Sequence, residues 1–286
     1  MKKLALILGL MLTINTAANA GTYGMTCPAN PYSQSIGLSN ITGINFLSEK
    51  IANAIIKKAI LKDSKGKYKV DMQSYNLSSL KQGIFKSLEI TGKDTVTDGV
   101  YISNIKLKTL CDYNYIALDN KNKTATFKED FHMAYALQFT EDDLINTMQT
   151  NRQYLEMIRK ANSIGNASKL FNIVSTSAKI KDNKLYYTMK VAIPLIKKRP
   201  EIVIETDMKA RNGEIVLNDS KLVTDSFKLD MSKLEKILNF LNPLEFAIGI
   251  FEEKQAVSKV QEITIQNNTV NIIGTFTIPK DVVTEQ

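Results

Sequence analysis

Between Asn45 and Lys62 apolar residues take up most of a helical circumference. Leu47, Ile51, Ala54, Ile55, Ile56, Ala59 and Ile60 stand against one polar stripe of Glu49, Asn53 and Lys57. Apolar cover that broad predicts a helix buried on more than one side, as inside a curved sheet. From Lys67 to Phe139 the period changes to two. Val70 and Met72 alternate with polar residues, then Ile84, Leu88 and Ile90 do so between Gly83 and Gly92. Val100 and Ile102 share one parity while Ile105, Leu107 and Cys111 share the other, which predicts a β-bulge near Asn104. Phe131, Met133, Tyr135, Leu137 and Phe139 then alternate without a break against His132, Ala134, Ala136 and Gln138. Large apolar residues on one face of a strand imply a deep apolar interior behind it.

Thr140 before Glu141, Asp142 and Asp143 reads as an N-cap with acids in the first turn, and Leu144, Ile145 and Met148 carry the helical period. A second helical stretch runs from Tyr154 to Ile164. Strands resume as hairpins: Asn172 to Ile180 with Lys184 to Ile193, and Glu201 to Lys209 with Glu214 to Val223, the latter turned at Asn212-Gly213. Ser232-x-x-Glu235 is a capping box for a helix that Asn242-Pro243 interrupts. One more hairpin, turned at Asn267-Asn268, ends the chain. Meandering hairpins and few helices, with no alternating βαβ pattern, define an α+β fold. The expected architecture is a long curved antiparallel sheet wrapped around an N-terminal helix, with two or three further helices. Residues 45–286 read as a single domain whose two sub-halves meet near 165–175.

The first twenty residues set the compartment. Lys2 and Lys3 precede an apolar run from Leu4 to Ile14, and Ala18-Asn19-Ala20 supplies a cleavage site, so residues 1–20 read as a secretory signal peptide. The expected mature protein starts near Gly21, is periplasmic or extracellular, and does not span a membrane, since a spanning helix needs about 20 apolar residues. Gly- and Pro-bearing residues 21–44 form a lead-in lying on the body. Export makes a disulfide between Cys27 and Cys111 reasonable, and it would pin the lead-in to the sheet. A buried, inert Cys111 is the alternative.

Composition removes most site chemistry. One His, two Cys and no Trp in 286 residues leave no closed zinc site, and no P-loop, EF-hand or dinucleotide fingerprint is present. No cofactor, metal or catalytic residue is assigned. His132 lies on a strand with no G-x-S-x-G elbow anywhere, and reads as a sheet residue exposed at least in part on the face away from the apolar row. The formal charge of +8 comes almost wholly from lysine, Arg152, Arg159, Arg199 and Arg211 being the only arginines. That argues against a nucleic-acid partner, because arginine carries the planar fork suited to phosphates and base edges. Lys197, Lys198 and Arg199 either touch anionic headgroups or form a solvated loop between Pro194 and Pro200.

The segment GIFKSLEITGKDTVTDGVYISNIKLKTL from Gly83 combines Gly83, alternating Ile84, Leu88 and Ile90, then Gly92, and Asp98-Gly99 leading into Val100 to Leu107. With the preceding helix, the FTEDDL run at Phe139 to Leu144 and a late hairpin near Gly274, it resembles the LmeA-type phospholipid-binding family of exported bacterial proteins. The resemblance covers most of residues 45 to 280. It implies a body similar to the tubular lipid-binding superfamily, with a helix inside a curved sheet and an acyl chain in an apolar groove. The candidate lining is Leu47, Ile51, Ala54 and Ile55 on the helix with Phe131, Met133, Tyr135, Leu137 and Phe139 on the strand. A phospholipid carrier or presenter of the cell envelope is the leading expectation. A closed-core structural or adhesive scaffold is the alternative, and an envelope hydrolase working through His132 is the third.

Overall fold

The computed structural model describes residues 23–33, 43–119, 121–122, 124–163, 171–194, 199–224, 231–252 and 256–285. Within helices and strands, the side chains of 43–47, 231–233, 250–252 and 285 are outside that description. The signal-peptide residues and 34–42 of the lead-in lie outside it entirely.

The largest sheet has six strands. β1 (Ser64–Gln73), β3 (Ser87–Thr97), β4 (Val100–Thr109), β7 (Phe131–Thr140), β13 (Thr269–Ile278) and β12 (Val257–Gln266) lie side by side in that order, every neighbour antiparallel. Tight turns at Asp98-Gly99 and Asn267-Asn268 hold positive φ at both central residues, the geometry whose twist matches the strands. The register seats Tyr135 between Leu107 and Gly274. Its ring lies across Gly274, where an added Cβ would come within 2.4 Å of it. The β3–β4 pairing runs through Asn104 without a shift. The register shift lies instead between β1 and β3, where Asp94, in the left-handed region, and Thr95 of β3 oppose the single Gly66 of β1. Val100, Ile102 and Ile105 are all buried although their parity differs.

A second antiparallel sheet orders β11 (Glu214–Leu222), β10 (Glu201–Arg211), β9 (Lys184–Ala192) and β8 (Asn172–Lys181). A third, small one orders β14 (Val283–Glu285), β6 (Thr124–Phe127), β5 (Asn114–Asp119) and β2 (Ile84–Phe85). After the stretch around 165–175 the chain therefore builds the second sheet, and the last hairpin then returns to the first.

Helices fill the space that the two larger sheets share. α3 (Glu141–Thr150) packs on β4, β7 and β8, so it touches both sheets. Its start is fixed by a capping box in which Thr140 and Asp143 satisfy each other's backbone N–H. α4 (Arg152–Ser163) packs on β8, while α5 (Met231–Phe240) and α6 (Pro243–Glu252) pack on β11, and α6 also on β12. Asn242 accepts from the Leu244 N–H at 3.1 Å, and Pro243 opens α6 where its missing donor costs nothing. One apolar cluster runs through Ile90, Leu137 and Ile272 of the first sheet, Ile180, Met189 and Ile204 of the second, and Leu144, Leu238 and Leu244 of the helices and the turn between them.

α1 (Gly43–Asp63) lies along β1, with α2 (Leu77–Lys81) nearby. Its orientation corrects the expectation that its apolar residues are buried on more than one side. Glu49 accepts from the Ser74 N–H at 2.8 Å and Asn53 from the Met72 N–H at 3.0 Å, so these two residues of the polar stripe face the sheet, while Lys57 is exposed. The cause is the edge itself. Alternate N–H groups of β1 point away from β3, and an edge donor covered without an acceptor would cost about 1–3 kcal/mol. Ala52, Ile56 and Ile60 pack beside those bonds, whereas Ile51 is 55% and Ile55 63% exposed, and Ala54 and Ala59 are exposed too.

Candidate functional site

The β7 row is the better-defined half of the expected lipid lining. Phe131, Met133, Tyr135, Leu137 and Phe139 are all buried. Phe131 lies edge-on to Phe85 at 6.3 Å and tilted against Phe127 at 5.5 Å, and the Tyr135 hydroxyl meets the Ser258 hydroxyl at 3.2 Å. Strand alternation sends all five side chains to one face, where β4 and β13 extend the apolar surface through Leu107 and Ile272.

The helix half is elsewhere. Ile51, Ala54 and Ile55 point to solvent beside β1, which two strands, β3 and β4, separate from β7. Leu47 is on α1, but its side chain lies outside the described residues. The two sets therefore do not line one groove in this structure, because the bonds from Glu49 and Asn53 turn the other side of α1 outward.

The opposite face of the six-stranded sheet is polar. Asn104 donates to Gln138 at 2.6 Å and Gln138 to Asn271 at 3.0 Å, an amide chain across three strands. His132 lies on this face, as its parity requires, with Nδ1 2.8 Å from the Thr277 hydroxyl. It is nevertheless buried, against the expectation of an exposed or half-exposed residue. The lead-in explains this burial in part: Tyr23, Met25 and Cys27 pack over Leu110, Cys111 and Ala134, next to His132. A disulfide joins Cys27 to Cys111 with their Cα atoms 5.5 Å apart. At the far side of this face a cavity of about 310 Å³ is lined by Asp71, Gln73, Ser87, Leu88, Glu89 and Lys108, with Lys106 3.3 Å from Glu89. This is a polar depression unsuited to an acyl chain.

Two clusters escaped sequence reasoning. Tyr154 of α4 donates to the Leu241 carbonyl at 2.7 Å, and its hydroxyl meets that of Tyr187 of β9 at 2.9 Å. Burial pushes the Tyr154 hydroxyl up to about 12 and the Tyr187 hydroxyl well above its ordinary value. Near the disulfide, Tyr32 stacks on Tyr75 at 4.5 Å and Tyr75 donates to the Asp112 carbonyl. Burial, then the Asp112 charge, raises Tyr75 to about 12. No local pattern announces either cluster, since each joins residues far apart in the chain.

Lys197 and Lys198 lie outside the described residues, and Arg199 is exposed. Among the described residues no three of His, Cys, Asp and Glu gather as a metal site would require, and no helix is long and apolar enough to cross a membrane. The chain matches no protein-family model, no curated protein and no solved structure.

Proposed function

We propose that the protein is an exported envelope protein that binds phospholipid by an acyl chain and carries or presents it. The observation that supports this reading is the β7 row. Five apolar side chains from Phe131 to Phe139 span eight strand steps, about 27 Å at roughly 3.4 Å each. That exceeds the ~15 Å of one leaflet, half of a bilayer's ~30 Å hydrocarbon core. The helix α3 packs on β7, while Phe131 meets Phe85 and Phe127 of the small third sheet and Tyr135 meets Ser258 of β12. Because the row is covered by side chains of α3 and of neighbouring strands, an acyl chain would replace side-chain contacts rather than fill a standing tunnel. The resemblance to LmeA-type proteins points the same way.

That same cover favours a second reading, a structural or adhesive scaffold with a closed core. Native mass spectrometry of protein purified from a bacterial periplasm separates the two. The carrier reading expects one or two bound phospholipids per chain, since each buried CH₂ contributes about 0.8 kcal/mol. Only the bare mass, with no uptake of fluorescent phospholipid from vesicles, would leave the scaffold. An activity lost in a His132→Ala variant would instead reinstate the hydrolase.

A further inference from the structure

We infer that the outer face of α1 docks the protein onto an anionic lipid bilayer. The inference takes from the lipid reading only the kind of surface to be met. Ile51, Ala54 and Ile55 form an exposed aliphatic strip, and Leu61 extends it along the next turns. Lys57, Lys58 and Lys62 are exposed around and within it, and between Lys50 and Lys62 the chain holds no carboxylate. The only acid near the start of this stretch, Glu49, is turned inward onto Ser74. From Ile51 to Lys62 the strip is about 17 Å long at roughly 1.5 Å per residue.

An aliphatic strip among lysines, with Glu49 and Asn53 turned inward, fits a helix lying in the plane of a membrane interface. The isoleucines enter the acyl boundary and the lysine stems reach up to headgroup phosphates. A protein partner fits less well. Interface anchors are typically Trp, Tyr or Arg, and this face has none of them. Lysine is a mobile point charge suited to a diffuse anionic layer rather than to one fixed carboxylate.

The chain contains no tryptophan, so Ile55→Trp places a single indole on the strip. In buffer its fluorescence is expected to be that of a water-exposed indole. Vesicles of phosphatidylglycerol and phosphatidylcholine are expected to shift it to the blue, and brominated acyl chains to quench it. Vesicles of phosphatidylcholine alone are expected to act at least tenfold more weakly, and Lys57→Glu with Lys58→Glu to cost a similar factor. Without the reporter, Ile51→Asp with Ile55→Asp is expected to lower cosedimentation with anionic vesicles at least tenfold. An indole already blue-shifted in buffer would mean that another part of the chain, a second copy or a protein partner covers the strip, and would overturn the inference. So would an indole that anionic vesicles leave unchanged. Lipid-loaded protein with an unshifted indole would overturn docking alone, whereas bare protein that still docks would overturn carriage alone.

Discussion

Burial of the Tyr154 and Tyr187 hydroxyls ties stability to alkaline pH. Both titrate higher in the folded chain than in an unfolded one, where tyrosine ionises near 10. Their contribution is therefore complete below about pH 10 and is lost as pH rises from there towards about 12, because only the unfolded state releases those protons. Tyr154→Phe is expected to cost about 1–2 kcal/mol at neutral pH through the lost bond to Leu241. Urea titrations should show the gap between it and the native protein narrowing above pH ~10. Gly274→Ala asks the Tyr135 ring to move off a Cβ placed 2.4 Å away, and a loss of about 1–3 kcal/mol is expected in the same assay. Gly92 is crowded in the same manner, by Ile105, Thr95 and Tyr68. Gly92 and Gly274 thus have packing reasons of their own, which is why they inform about fold more than about ligand. Ile55→Asp, a fold-breaking change had the helix been enclosed, is expected to leave the thermal midpoint nearly unmoved, since its side chain already meets water.

Strand β1 is a sheet edge whose outward donors are met by side chains instead of a further strand. Replacing Glu49 or Asn53 with Ala is expected to cost about 1–2 kcal/mol each and to speed hydrogen exchange at the amides of Ser74 or Met72 respectively. Exchange unchanged at both amides would mean that α1 merely rests on the strand. The contrast with the hairpins shows what a sequence can disclose at this level. Asn212-Gly213 and Asn267-Asn268 were readable because a left-handed backbone is a local demand with few residues able to meet it. The Phe131 to Phe139 alternation was readable because burial on one face imposes a period. The side that α1 turns inward was not. Its choice depends on two backbone donors about twenty residues downstream, which a helical wheel does not contain, and broad apolar cover hides which arc is packed.

At the level of the whole chain the Cys27–Cys111 bond closes a span of 84 residues around the first four sheet strands. Reduction, or Cys27→Ser with Cys111→Ser, is expected to cost about 2–5 kcal/mol in denaturant unfolding and to uncover Leu110 and Ala134. The two cysteines were visible in the sequence, but not the distance between them, which depends on how the lead-in crosses the sheet. The candidate site was half visible for the same reason: each apolar set was recognisable alone, and their placement at opposite parts of the sheet was a matter of topology. That topology also has a bearing on biogenesis. β13 is the only partner of β7 on one side, yet it leaves the ribosome about 130 residues later. At roughly 5–20 residues per second the nascent chain carries the β7 edge unpaired for about 7 to 26 s, with an open backbone beside its most apolar row. A chain terminated between α6 and β12 keeps that edge permanently, and is expected to aggregate or require a holding chaperone, whereas the full-length polypeptide seals it as its last hairpin arrives.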